Sequence, residues 1–217
     1  MITRISSGWC YTPYGREKSS PTGFVVLQAE TGPAICIKSE NIVSCIMFSK
    51  YKEILFFTAT NLKWLPLLED EKSKEIISST LQYMAQNNRC KIYAFVIMPN
   101  HIHLLLDLIT DDKTSFQRSF MKYTAQQCLF YFKEVKPQML KDLESTQVDR
   151  KYQFWERRPY WTNIASEETM FQKMAYIHEN PVSSTKTDCL RPENYHWSSA
   201  RSYKDGISYF DFLSLIS

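Results

Sequence analysis

Glycine is scarce in this sequence. Only five occur in 217 residues, and four of them (Gly8, Gly15, Gly23 and Gly32) fall with Pro13, Pro21 and Pro33 in the first 33 positions. That distribution excludes a collagen-like or low-complexity chain and concentrates the turn formers in one N-terminal stretch, where a single short strand over 23–28 is expected. Six cysteines are present (Cys10, Cys36, Cys45, Cys90, Cys128 and Cys189), but none forms a CxxC pair or a close framework. A zinc ribbon and a disulfide scaffold are therefore disfavoured, and free thiols in a reducing compartment are expected. No run approaches the roughly 18 apolar residues of a membrane span, and the start MITRISSGWCYTPYG lacks an apolar signal core. We expect a cytoplasmic protein with no membrane partner. The net charge of +3 is too small for binding nucleic acid by charge alone, yet it permits such a partner.

From about Phe48 the patterning sharpens. Residues 53–60 (EILFFTAT) form a β-rich run, and 70–87 place Ile76, Ile77, Leu81 and Met84 at helical spacing. Residues 91–98 read as a second strand, Pro99-Asn100 as a turn, and 101–107 as a third strand completing a hairpin. A helix over 115–133 follows, then a basic, aromatic-rich connection over 135–164. A last helix runs from the N-cap candidate Ser166 to Asn180, with Pro181 marking its end. The order strand, helix, strand, strand, helix predicts an α+β, ferredoxin-like sandwich in which helices cover one side of a mostly antiparallel sheet. Two domains are expected: an N-terminal extension, 1–47, and a catalytic domain, 48–217.

The chemistry concentrates in VIMPNHIHLLL, residues 96–106, which holds two of the four histidines. Strand alternation puts His101 and His103 on one face and Ile102, Leu104 and Leu106 on the other. Two adjacent imidazoles can bind one metal ion if a third ligand arrives; equally, such a pair can be hydrogen-bonded surface histidines. In the last helix, Tyr176 and Asn180 stand four residues apart and so share a face. An amide oxygen is a hard ligand suited to Mg²⁺ or Mn²⁺, and a tyrosine beside such an ion can attack a phosphodiester. By the same helical geometry His178 turns about 200° from Tyr176, which predicts a surface position.

VIMPNHIHLLL, followed by MAYIHENPV and RPENYHWSSARSY, resembles the single-tyrosine HUH (His-hydrophobic-His) transposases, most closely the REP-associated tyrosine transposases of bacteria. The resemblance spans roughly Phe48 to the C-terminus; residues 1–47 have no counterpart in it. It implies a ferredoxin-like fold with the catalytic tyrosine on a C-terminal helix. It also implies His101, His103 and Asn180 as ligands of Mg²⁺ or Mn²⁺, and Tyr176 as the nucleophile of single-stranded DNA cleavage and strand transfer through a 5′-phosphotyrosine. The implied partner is single-stranded or hairpin DNA, met by a monomer or homodimer. Candidate DNA contacts are Arg118 and Lys122 on the second helix and Arg157 and Arg158 beside Trp155, which pair cations for phosphates with rings for unpaired bases; equally, the same residues can form a solvated basic face over a packed aromatic cluster. Two other readings stay open: a hairpin-binding protein without turnover, and a phosphodiesterase that uses water and has no need of Tyr176.

Overall fold

The computed structural model describes residues 24–27, 35–38, 53–145, 148, 150–185 and 187–216. The chain divides into two compact units, Met1–Lys50 and Tyr51–Ser217. In the first, β1 (Phe24–Leu27) pairs antiparallel with β2 (Ile35–Lys38), so the expected strand is present and has an unexpected partner. The remainder of that stretch, including Cys10 and Cys45, lies outside the described residues.

The second unit is built on a four-stranded sheet: β3 (Ile54–Thr60), β4 (Cys90–Ile97), β5 (His101–Leu108) and β6 (Tyr160–Asn163). Its spatial order is β4-β5-β3-β6 with every pair antiparallel. With α1 (Glu71–Gln86) after β3 and α2 (Lys113–Val135) after β5, the connectivity is the split β-α-β of the ferredoxin-like sandwich. Strand β6 was not legible in the basic connection because YWTN is short and lies on a sheet edge with mixed exposure.

Helices α1 and α2 cover one face for sequence reasons. In α2, Phe116, Phe120, Thr124, Cys128 and Phe132 recur every four residues and are all buried. Asp112 caps this helix by accepting from the Ser115 N–H at 2.7 Å. Helix α1 buries Ile77, Leu81 and Met84 and stops at Asn88, whose φ of 54° is left-handed. Arg89 N–H to Met84 O and Asn88 N–H to Ala85 O, both 3.0 Å, close the end as a Schellman motif. Beneath them Phe57, Ile102, Leu104 and Leu106 are fully buried, as alternation required.

The third helix, α3 (Glu167–Ser183), lies against β4 and β5 from the other side, so the sheet carries helices on both faces rather than one. Ser166 caps it as expected, accepting from the Thr169 N–H at 3.2 Å. Pro181 does not end it: the helix continues to Ser183. A proline in the last turn removes only the hydrogen bond its own N–H would give to Ile177 O, and side chains bond carbonyls at the helix end, Ser183 Oγ donating to Glu179 O and Thr187 Oγ1 to Pro181 O. The chain then covers the β4 edge, with Ile97 N–H donating to Trp197 O at 2.8 Å and Tyr195 Oη to Ile97 O at 2.9 Å, and ends through α4 (Ala200–Asp205). Trp197 is buried. Cys90, Cys128 and Cys189 are free. Among the described residues no helix is long and apolar enough to cross a membrane.

Candidate active site

Strand β5 and helix α3 run so that their spacings match. Two residues on a strand span about 6.6 Å and four on a helix about 6 Å, so each α3 group meets its own histidine. His101 Nε2 is 3.2 Å from Asn180 Oδ1, and the His103 ring lies 5.1 Å from the Tyr176 ring. The two imidazole centroids are 4.7 Å apart. All four residues that the sequence singled out are brought together on the sheet face away from α1 and α2.

Neighbours that the sequence did not reveal fix the imidazoles. Asn100, buried, places its Oδ1 at 2.8 Å from His101 Nδ1. An amide oxygen only accepts, so Nδ1–H donates to Asn100, while Nε2 meets the Asn180 oxygen as a second donor when the ring is protonated and with its lone pair when it is neutral. In the neutral ring the two acceptors stand 3.2 Å apart, an arrangement that a cation between them would satisfy. Donor atoms at right angles around an ion, each about 2.1 Å from it, are themselves about 3 Å apart, so the pair fits a small divalent ion. His103, only 5% exposed, contacts Thr58 Oγ1 through Nδ1 at 2.7 Å. Its Nε2 is buried with no hydrogen-bond partner, the state expected of a ligand atom. Among the described residues no cluster of three His, Cys, Asp or Glu side chains exists, so the Asn180 amide is the third protein ligand on offer.

Burial, then the charges of His101 and Lys173, push His103 down to about 3. Its ring is therefore neutral at ordinary pH and can bind an ion without losing a proton. Sequence reasoning treated it as a surface group; instead it stacks on Phe56 at 5.3 Å. Tyr176 is half-exposed, with its ring against both Phe56 and His103. Lys173, one turn earlier, holds its ammonium 4.9 Å from the Phe56 centroid and 5.9 Å from that of Tyr176. The spacing of three residues was a signal available in the sequence. His178 is not a surface residue. Its Nε2 lies 2.9 Å from Ser199 Oγ, and burial lowers it to about 4. The C-terminal segment that covers this flank of α3 is invisible to helical periodicity.

At the other end of the site stands Trp64, 60% exposed, its ring edge-on to His101 at 5.9 Å. It belongs to a 3₁₀ turn, Leu62–Trp64, in which Lys63 (φ 51°) and Trp64 (φ 58°) are both left-handed. Such residues cost about 1 kcal/mol or more each and persist where their surroundings fix them.

The proposed DNA contacts separate. Arg118, Lys122 and Arg157 line a trough of about 1130 Å³ between α2 and residues 150–157, joined by Lys133 and Arg150. It lies on the α2 side of the sheet, away from Tyr176. Arg158 is exposed but does not line it. Trp155 is not available as a stacking ring: it is 4% exposed, packs on Phe154 and Phe120, and donates through Nε1 to Thr124 Oγ1 at 3.0 Å. Its indole is core because the segment folds down onto the α2 stripe, which the local sequence did not show.

Comparison with known proteins gives a family and a fold. The profile of the family described as "Transposase IS200 like" matches residues 46–180. Among solved structures, a REP-associated tyrosine transposase bound to a REP hairpin superposes with a TM-score of 0.54 at 18% identity, over 77% of this chain and 94% of that one. A transposase-type protein from Deinococcus radiodurans R1 gives 0.41 at 22% identity, over 60% and 91%. Comparison with curated proteins yields no match.

Proposed function

This chain belongs to the IS200-like transposases, and from that premise we propose that it cleaves single-stranded DNA and transfers strands through a 5′-phosphotyrosine on Tyr176, at hairpin-forming repeats. The observation that carries the reading is the register of α3 on β5, which sets a half-exposed phenol beside a buried, neutral imidazole and an amide oxygen beside the other. We assign catalysis to residues 48–217 and no role to 1–47.

Tyr176 Oη forms a bond to phosphorus while the bond to the 3′ oxygen breaks. The phenol proton passes to solvent, and the 3′ oxygen leaves as a hydroxyl. One phosphodiester replaces another, so the same step run backwards rejoins strands. His101, His103 and Asn180 would hold the divalent ion, Mg²⁺ or Mn²⁺, which supplies positive charge to polarise the scissile phosphate. Thr58 and Asn100 orient the imidazoles, and Lys173 adds a fixed cation beside the nucleophile. Arg118, Lys122, Arg157 and Arg158 would take DNA phosphates, with the trough along α2 gripping the stem of a hairpin like the one bound by the structural relative.

The test is a labelled single-stranded hairpin oligonucleotide incubated with protein and Mn²⁺. A denaturation-resistant adduct should form, and Tyr176→Phe should abolish it while binding persists. Cleaved ends without an adduct would favour a water-using phosphodiesterase, and binding alone would favour a retired transposase.

A further inference from the structure

We propose that Trp64 is the stacking platform for the nucleotide on the 5′ side of the scissile phosphate, the one whose 3′ oxygen leaves; the inference rests on the strand-transfer reading above. Three elements order the site along one axis. On β5, His101 precedes His103. On α3, Asn180 meets His101 while Tyr176 meets His103. On β3, Thr58 meets His103 and Phe56 meets Tyr176, and the chain then passes Thr60, paired with His101, to reach Trp64. The row therefore reads Trp64, His101, His103, Tyr176, with ring centroids 5.9, 4.7 and 5.1 Å apart in turn.

In-line displacement sets the nucleophile and the leaving oxygen on opposite sides of phosphorus. With the phosphate over the histidine pair and Tyr176 at one end, the leaving 3′ oxygen and its nucleoside fall at the Trp64 end. An indole is the right group there. Among the described residues it is the most exposed tryptophan, Trp161 being half-buried and Trp155 and Trp197 buried, and every base offers a face to stack on it.

Its presentation is also fixed. The turn holds two successive left-handed non-glycine residues, pinned by Trp64 N–H to Asn61 O at 3.0 Å, Asn61 N–H to Asn100 O at 2.9 Å and Lys63 N–H to Glu156 Oε1 at 2.8 Å. No burial of the indole explains that strain, whereas holding the ring beside His101 does. Glu156 also lines the basic trough, so the turn stands between the trough and the reacting groups. A ring at this place would keep the freed 3′-hydroxyl strand in position for the joining step.

The experiment uses the full chain, Mn²⁺ and a single-stranded hairpin oligonucleotide that the wild type cleaves, intact or with an abasic site immediately 5′ or 3′ of the cleaved bond. Trp64→Ala should slow single-turnover adduct formation about tenfold, and Trp64→Phe should restore most of it. Trp64→Gly, which suits the left-handed φ, should melt no lower than the wild type yet be as slow as alanine, separating loss of the ring from loss of the fold. The 5′ abasic substrate should slow the wild type by the same factor and leave Trp64→Ala no slower still; the 3′ abasic substrate should leave the alanine defect intact. Independent, multiplying losses at the 5′ position, or loss of the alanine defect on the 3′ abasic substrate, would overturn the assignment. Absence of any Tyr176 adduct with the wild type would overturn the parent reading, and this one with it.

Discussion

Lowering the pH from 7.5 to 5.0 should destabilise this fold by about 4 kcal/mol through two histidines. An unfolded imidazole takes up its proton near pH 6.5, but in the folded chain His103 refuses it until about 3 and His178 until about 4. Below 6.5 the unfolded state therefore binds more protons than the folded one, and stability falls as pH falls; above 6.5 neither state is charged and the effect is absent. At pH 5 each histidine sits about 1.5 units into that window, which at 1.36 kcal/mol per unit is about 2 kcal/mol. Asp70 does not confuse the range. Burial raises its carboxyl, but hydrogen bonds from Lys136 and Tyr131 win and hold it below 3.8, so its contribution is lost only at lower pH. The assay is urea unfolding with EDTA present, so that no bound ion adds its own pH dependence. His178→Gln should halve the pH effect. Unfolding free energies that agree within about 1 kcal/mol at the two pH values would refute the argument that these rings fold in uncharged.

His101→Ala should abolish Mn²⁺-dependent adduct formation and Mn²⁺ binding by calorimetry, with a stability change within about 0.5 kcal/mol. His103→Ala should lose the same activity and also about 1–3 kcal/mol of stability, because it empties a buried site stacked on Phe56. In the trough, Arg118→Ala with Lys122→Ala should weaken hairpin-DNA binding and flatten its logarithmic salt dependence by about 0.9 per stem phosphate contact removed. An unchanged slope would move the backbone contacts elsewhere.

The sequence by itself determined the features that depend on periodicity. Alternation along 101–107 assigned Ile102, Leu104 and Leu106 to the core and the histidines to the opposite face, and the four-residue spacing of Tyr176 and Asn180 paired them, because strand and helix geometry are local and repeat without reference to the rest of the chain. The same reasoning misplaced what long-range contacts govern. Trp155 could be read as a stacking ring or a packed one until its segment folded onto α2. His178 looked exposed until residues near Ser199 returned over α3. Pro181 looked like a stop, yet the helix, packed against β4 and β5, carries on to Ser183. Tertiary structure alone placed Thr58, Asn100 and Trp64 around the imidazoles, since they come from β3, the β4–β5 turn and a 3₁₀ turn whose approach depends on strand order. It alone set β5 and α3 so that a phenol and an amide each face their own histidine. A sequence records which side of its own element a residue occupies; which element lies opposite is settled only when the whole core packs.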